Sequence, residues 1–361
     1  MVSFFPLFSP SIITLNVYLN ISFKSDRPLF TSYPSLKEED LSFFYKEESA
    51  IEVTTYGADR PKYSQVLCFF EHHTIDDRLY VDPKDIKVLV EKEVPFYLPE
   101  HQFNDLFERA KAAFAAEGRR PPTKENRALI RINRIMRDKN QMTILIQPND
   151  YNTQVATNLV MDMKHWDGKT WRQKLQEQYG FRLPPLGEAP LADSLGVSLI
   201  LVTKNGQAVL PLRSSLAVWG DQWGCTSSFA AGWKQEFREM SFKEFLDKIV
   251  PPHLLLEIGT TEIEFTPLAL CREWLRGGKP QLLLVGLCDL TLDQLNSYID
   301  RAPHRDEIKK KWTGRVLMTE RNAKQHVLSQ ELKVNTEYMR RFLQTSNGKD
   351  FFGTSRLLPG V

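Results

Sequence analysis

The chain is short of most features that announce a function. Four cysteines, Cys68, Cys225, Cys271 and Cys288, are scattered through 361 residues without paired spacing, which excludes a cysteine-rich zinc cluster or a disulfide framework. Buried thiols in a reducing cytoplasm are expected instead. The formal net charge is only +2, so neither a nucleic-acid groove nor an anionic membrane surface is advertised, and nucleic acid is not an expected partner. Long hydrophobic runs are scarce as well. The opening "MVSFFPLFSPSIITLNVYLNISFKSD" has no basic leader, and Pro6, Pro10, Asn16 and Asn20 interrupt it short of the roughly 18 apolar residues that a spanning helix needs, so no membrane partner is expected. No Gly-x-Gly-x-x-Gly fingerprint, Walker loop, His-Glu-x-x-His helix or Gly-x-Ser-x-Gly elbow occurs.

What is present is globular composition, 42% apolar and 25% charged, enough for a sizeable core in one large domain or two. Residues 1–100 mix short apolar runs such as "KYSQVLCFF" and "DIKVLVEKEV" with proline and acidic turns, a strand-rich pattern. In "QFNDLFERAKAAFAAEGRR", Phe103, Leu106, Phe107, Ala110 and Phe114 recur at helical spacing. "ALIRINRIMRDKNQMTILIQPNDY" alternates on both sides of "DKNQ" and predicts a hairpin. Prolines and glycines in "GFRLPPLGEAPLADS" predict a linker and a boundary near residue 190. The resulting division is 1–100, 101–190, 191–300 and a helical segment at 301–361.

Beyond that boundary, "LGVSLILVTKNGQAVLPLRS" carries Asn205-Gly206 between two apolar runs, the pattern of a type I′ hairpin, and "TPLALCREWLRGGKPQLLLVGLCDLT" repeats the logic around Gly277-Gly278-Lys279-Pro280. Helical segments at 241–250, 292–301 and 328–345 alternate with the hairpins. The expected fold is α/β, of the α+β kind, with strands at 196–203, 208–213 and 281–288 sharing one mixed sheet.

These residues resemble the Nudix superfamily. The hairpin, the strand "WGCTSSFAAG", an acidic helical segment and the return hairpin stand in that family's order, and "PNDYNTQVATN" is similar to a segment of the Nudix-like UDP-glucose pyrophosphatases. The resemblance implies an α/β/α sandwich over 191–300 behind a strand-rich N-terminal α+β region. It also implies a nucleoside diphosphate linked to another group, such as a nucleotide sugar, as ligand, and a Mg²⁺-dependent pyrophosphohydrolase activity if the metal motif works. In that motif glutamates on successive helical turns hold Mg²⁺ between a Gly and a closing Gly.

Two registers of the motif are open. If Gly259 closes it, Glu257 takes the last glutamate, while Leu256, His253 and Pro252 replace a glutamate, a glutamate and an arginine; Glu236, Glu239, Glu244 and Asp247 then lie in an inserted segment. If "KEFLDK" is the motif, Glu244 and Asp247 match and Lys248 replaces a third carboxylate, with Pro251-Pro252 ending the helix. Together they give Glu257, Glu244 and Asp247 as catalytic candidates and Glu257, Glu239 and Glu236 as metal candidates. Arg213, closing a strand, is the phosphate-binding candidate, and Arg272, which with Glu273 forms a charge pair beside the aromatic face of Trp274 that could hold a base, is the second substrate-binding candidate. The metal-free alternative is a nucleotide sensor or protein-interaction module. "FFEHHTIDD" reads as a solvated turn, "HRDEIKKKWTGR" as an exposed helix, and Trp274 as a core residue.

Overall fold

The computed structural model describes residues 44–45, 53–55, 62–70, 79–91, 96, 98–116, 126–138, 141–213, 222–259, 263–302, 312–317 and 329–352. In chain order the strands are β1 (Val53–Thr55), β2 (Lys62–Phe69), β3 (Ile86–Val90), β4 (Ala128–Asp138), β5 (Gln141–Asp150), β6 (Gly196–Val202), β7 (Ala208–Arg213), β8 (Ser227–Ala230), β9 (Met240–Ser241), β10 (Glu264–Glu273), β11 (Lys279–Leu287) and β12 (Trp312–Leu317). The helices are α1 (Glu100–Ala116), α2 (Tyr151–Ala156), α3 (Trp171–Tyr179), α4 (Phe242–Ile258), α5 (Leu292–Arg301), α6 (Gln330–Phe342) and α7 (Ser346–Phe352).

Two mixed sheets result, an α+β fold as expected. The larger is ordered β1-β2-β10-β11-β6-β7-β12, with β8 also on β6. It contains all three strands expected near 196–203, 208–213 and 281–288, and β6 runs parallel to β11. The smaller sheet is ordered β4-β5-β3-β9, with β3 parallel to β5.

Every residue of β6 is buried, because both of its faces are covered. Val197, Leu199 and Leu201 point into a core shared with α4 (Phe242, Phe245, Ile249, Leu254) and with Val88, Ile130 and Ile144 of the smaller sheet. Ile200 and Val202 point the other way, onto Leu332, Tyr338, Met339 and Phe342 of α6. A third cluster joins α1, α2 and α3 to Trp274 and Leu275 at the end of the β10–β11 hairpin. The elements of 1–100, 101–190 and 191–300 therefore share sheets and cores: β2 pairs with β10, and β3 with β9.

The stretch read as a linker packs as a strap, with Leu183, Ala189, Leu191 and Ala192 buried. The β6–β7 turn also differs from the type I′ expectation. Asn205 keeps a negative φ and only Gly206 is left-handed (φ 74°), while Thr203 N–H donates to Gln207 O (3.0 Å), as in a three-residue loop with a glycine at its left-handed position. Trp312–Leu317 is a strand on β7 rather than part of an exposed helix; His72, His73, Asp76 and Asp77 lie outside the described residues.

Candidate functional site

Helix α4 positions most of the expected carboxylates, so its local chemistry decides what they can do. Ser241 caps it, accepting from Glu244 N–H (3.3 Å), while the Glu244 carboxylate accepts from Ser241 N–H (2.9 Å) and Oγ (2.8 Å), a reciprocal capping box. These backbone and side-chain bonds from Ser241 lower the Glu244 pKa. Asp247 accepts from Lys243 Nζ (2.7 Å) one turn back. Glu236 and Glu239 are exposed in the approach to β9.

The helix does not end at Pro251-Pro252. It runs through both to a left-handed Gly259 (φ 83°), whose N–H donates to Leu254 O and Leu255 O. Pro251 and Pro252 cannot donate to the carbonyls of Asp247 and Lys248, but those residues and Pro252 are exposed, so the break in the helical hydrogen bonding falls on the solvent side of the helix. Beyond the prolines, Leu254 and Ile258 hold the last turn in the core.

One continuous helix separates the candidates. Glu257 stands ten residues beyond Asp247 and thirteen beyond Glu244, which at about 1.5 Å per residue is roughly 15 and 20 Å along the axis. A single hard cation holds each oxygen at about 2.0–2.6 Å, so Glu257 cannot share an ion with either. Among the described residues, no group of three or more His, Cys, Asp or Glu converges as a metal ligand set; the Glu257 side chain lies outside them.

The two candidate arginines have different surroundings. Arg213 ends β7, half-buried, with its N–H donating to Gln222 O (3.0 Å) and its stem lying over Gly224, where a Cβ would crowd Arg213 Cδ. Arg272 is interior: its Nε donates to Gly278 O (2.9 Å) and closes the β10–β11 turn, where Gly278 (φ 94°) leaves room for the guanidinium. Trp274 beside it is fully buried, as expected of a core residue.

Sequence reasoning did not single out a buried charge network on the α6 side of the larger sheet. Arg276 reaches Glu273 (3.4 Å) and Glu331 (3.5 Å), Lys279 reaches Glu273 (3.6 Å) and Gln281 (3.0 Å), and Ser228 Oγ donates to Glu331. Gln281 in turn donates to Ser198 Oγ (3.2 Å). Burial pushes the Lys279 ammonium pKa down against the pull of Glu273. Burial also works against the Glu331 carboxylate, yet Arg276 and Arg213 hold its pKa below the ordinary value. The sequence signal was available in "KPQLLLVG", where Lys279 and Gln281 interrupt an otherwise apolar strand. Such a network pins α6 to the sheet and places Arg213 in the field of an interior carboxylate.

No known family profile matches the sequence, and no curated protein matches it. Among solved structures the chain is similar to the crystal structure of DR0079 from Deinococcus radiodurans, at 13% identity and a TM-score of 0.29, over 40% of this chain and 81% of that one.

Proposed function

We propose that this chain is a Nudix-like nucleotide-binding module. It takes a nucleoside diphosphate linked to another group, such as a nucleotide sugar, by charge-assisted hydrogen bonds from Arg213 to phosphate. The observation that carries this reading is the separation of the acidic candidates along α4, where Glu244 serves the cap, Asp247 pairs with Lys243 and Glu257 stands far along the axis. A guanidinium holds a phosphate without any ion, so binding survives where a carboxylate cluster does not form. Arg272 is not part of this reading, since its guanidinium is committed to the β10–β11 turn.

Thermal unfolding against UDP-glucose and a panel of nucleoside diphosphates, with and without Mg²⁺, tests it, because a ligand of the native state raises the melting point by mass action. A metal-independent rise in wild type that Arg213→Ala loses is the expected result. Absence of any rise, or an equal rise in the variant, defeats the nucleotide reading and favours a protein-interaction module. A second reading, Mg²⁺-dependent pyrophosphate hydrolysis, draws on the left-handed Gly259 two residues after Glu257, as in the first register. Phosphate release that requires Mg²⁺ and disappears in Glu257→Gln selects it.

A further inference from the structure

Helix α3 begins against a tight turn, and an imidazole joins the two. The turn spans 164–170: Lys164 bridges Thr170, His165 N–H donates to Lys169 O (2.8 Å), and Gly168 N–H donates to His165 O (3.0 Å), with Gly168 left-handed (φ 80°). His165 points inward from it, 6% exposed. Its ring meets Trp171 edge-on, with the centroids 4.6 Å apart. Lys174, in the first turn of α3, places Nζ 2.9 Å from His165 Nδ1. An ammonium only donates, so Nδ1 accepts and the neutral ring carries its proton on Nε2.

The charged groups around this ring, among the described residues, come from three elements. Helix α3 supplies Lys174, and the turn supplies Asp167, which pairs with Lys174 (2.9 Å). Helix α1 supplies Asp105 and Arg109, which pair with each other (2.9 Å), and Arg109 also donates to Lys164 O (3.4 Å). Lys169 and Glu177 pair at the surface between the turn and α3 (2.7 Å). Burial and Lys174 disfavour the imidazolium, Arg109 adds to them, and Asp167 and Asp105 oppose them; the balance pushes the His165 pKa down to about 4. Geometry gives the same answer, since a proton on Nδ1 aims a donor at an ammonium 2.9 Å away.

We propose that His165 and Lys174 form an acid-released latch, in which the neutral ring holds the 164–170 turn against α3 and uptake of one proton from solvent on Nδ1 frees the turn. Protonation breaks the bond from Lys174 and drives the imidazolium out to water, leaving Lys174 on Asp167. The links that remain, Lys174–Asp167 and Lys169–Glu177, are surface pairs of a kind that holds little. Helix α3 is anchored separately, by Arg172 on Asp162 (2.7 Å) and by Trp171 Nε1 on Ala156 O (3.0 Å), so the opening stays local. The turn also presents Trp166, 76% exposed, and the latch sets how rigidly that ring is held.

The folded ring takes up a proton less readily than the opened turn, where His165 regains its ordinary value of 6.5. The latch is therefore fully effective above about pH 6.5, and its contribution is lost as pH falls from there toward about 4. Opening becomes easier by roughly tenfold per pH unit in the middle of that window.

Hydrogen exchange at about pH 7.5 and about pH 5 brackets most of that window and tests the latch. Protection of the His165 and Gly168 amides is expected to fall more than about tenfold in wild type on acidification, while the Gly180 amide, bonded to Gln176 O at the end of α3, keeps its protection. His165→Gln retains an acceptor for Lys174 but does not titrate, and should show no such fall. An NMR titration of the His165 ring should give a midpoint far below that of an exposed histidine, and Lys174→Met should raise it. If His165→Gln does not fold, the ring titrations of wild type and Lys174→Met decide. A ring midpoint near the ordinary value overturns the proposal, as does unchanged protection at His165 and Gly168 in wild type or an equal fall in a folded His165→Gln.

Discussion

Arg172 carries five N–H donors into the interior, and each one finds an acceptor. Nε and Nη2 hold the two oxygens of Asp162 (2.7 and 3.0 Å), Nη1 donates to Tyr45 OH (2.6 Å) and Trp274 O (3.0 Å), and Nη2 also donates to Leu275 O (2.8 Å). Burial opposes its charge, but Asp162 and Tyr45 more than compensate and keep it protonated. This one side chain thus ties α3 to Tyr45 and to the tip of the β10–β11 hairpin. Arg172→Met strands Asp162 as an uncompensated buried carboxylate, and the expected loss is about 3–5 kcal/mol, read from urea unfolding at pH 7. A loss within about 0.5 kcal/mol, the range of an ordinary surface substitution, would contradict this account. Nothing in "TWRQKLQEQYG" separates Arg172 from a solvent-facing helix arginine, because its partners stand 10, 102, 103 and 127 residues away. The burial of Trp274 and of all four cysteines, by contrast, was legible, since apolar and thiol side chains go inside whatever their partners are.

Element by element, most of the architecture was readable because periodicity is local. The helix over 292–301, the hairpin of β4 and β5, and the apolar face of α1 formed by Leu106, Phe107, Ala110 and Phe114 all lie where spacing put them. Helix α4 shows where local rules stop. Two consecutive prolines argue for a break, but the core contacts of Leu254 and Ile258 carry the helix through them to Gly259. That extra length carries Glu257 away from Glu244, so the fate of the metal candidates was hidden by the same tertiary override. The start of α4 follows its local signal, a Ser241 and Glu244 capping box. Ser241→Ala removes the acceptor for the Glu244 N–H and is expected to cost about 0.5–2 kcal/mol, measured by denaturant midpoint at unchanged slope. Glu244→Gln should cost less than Ser241→Ala, since an amide still accepts from the cap backbone.

Across the whole molecule, the sequence carried strands without their partners. The run "KYSQVLCFF" reads as a strand from its composition, but nothing in it says that Cys68 will lie opposite Leu270, two hundred residues on. Hence the segment 191–300, which looked self-contained from its hairpins, is covered on both sides by the rest of the chain. Its β10 edge is paired by β2, the apolar side of α4 is shared with Val88, Ile130 and Ile144, and the far face of β6 is roofed by Leu332, Tyr338 and Phe342. Each such large side chain contributes roughly 1.5–3 kcal/mol when withdrawn from water, which is comparable in sum to the whole stability of an ordinary domain. Residues 191–300 expressed alone are therefore expected to lack a unique fold, with poorly dispersed amide NMR signals and strong binding of a hydrophobic dye. The full chain should lose its near-ultraviolet and far-ultraviolet dichroism together, because no core belongs to one segment. A fragment with a dispersed spectrum and its own sharp melting transition would show that the shared sheets join two independent folding units. The β2–β10 and β3–β9 pairings would then be docking contacts between finished domains instead of parts of one core.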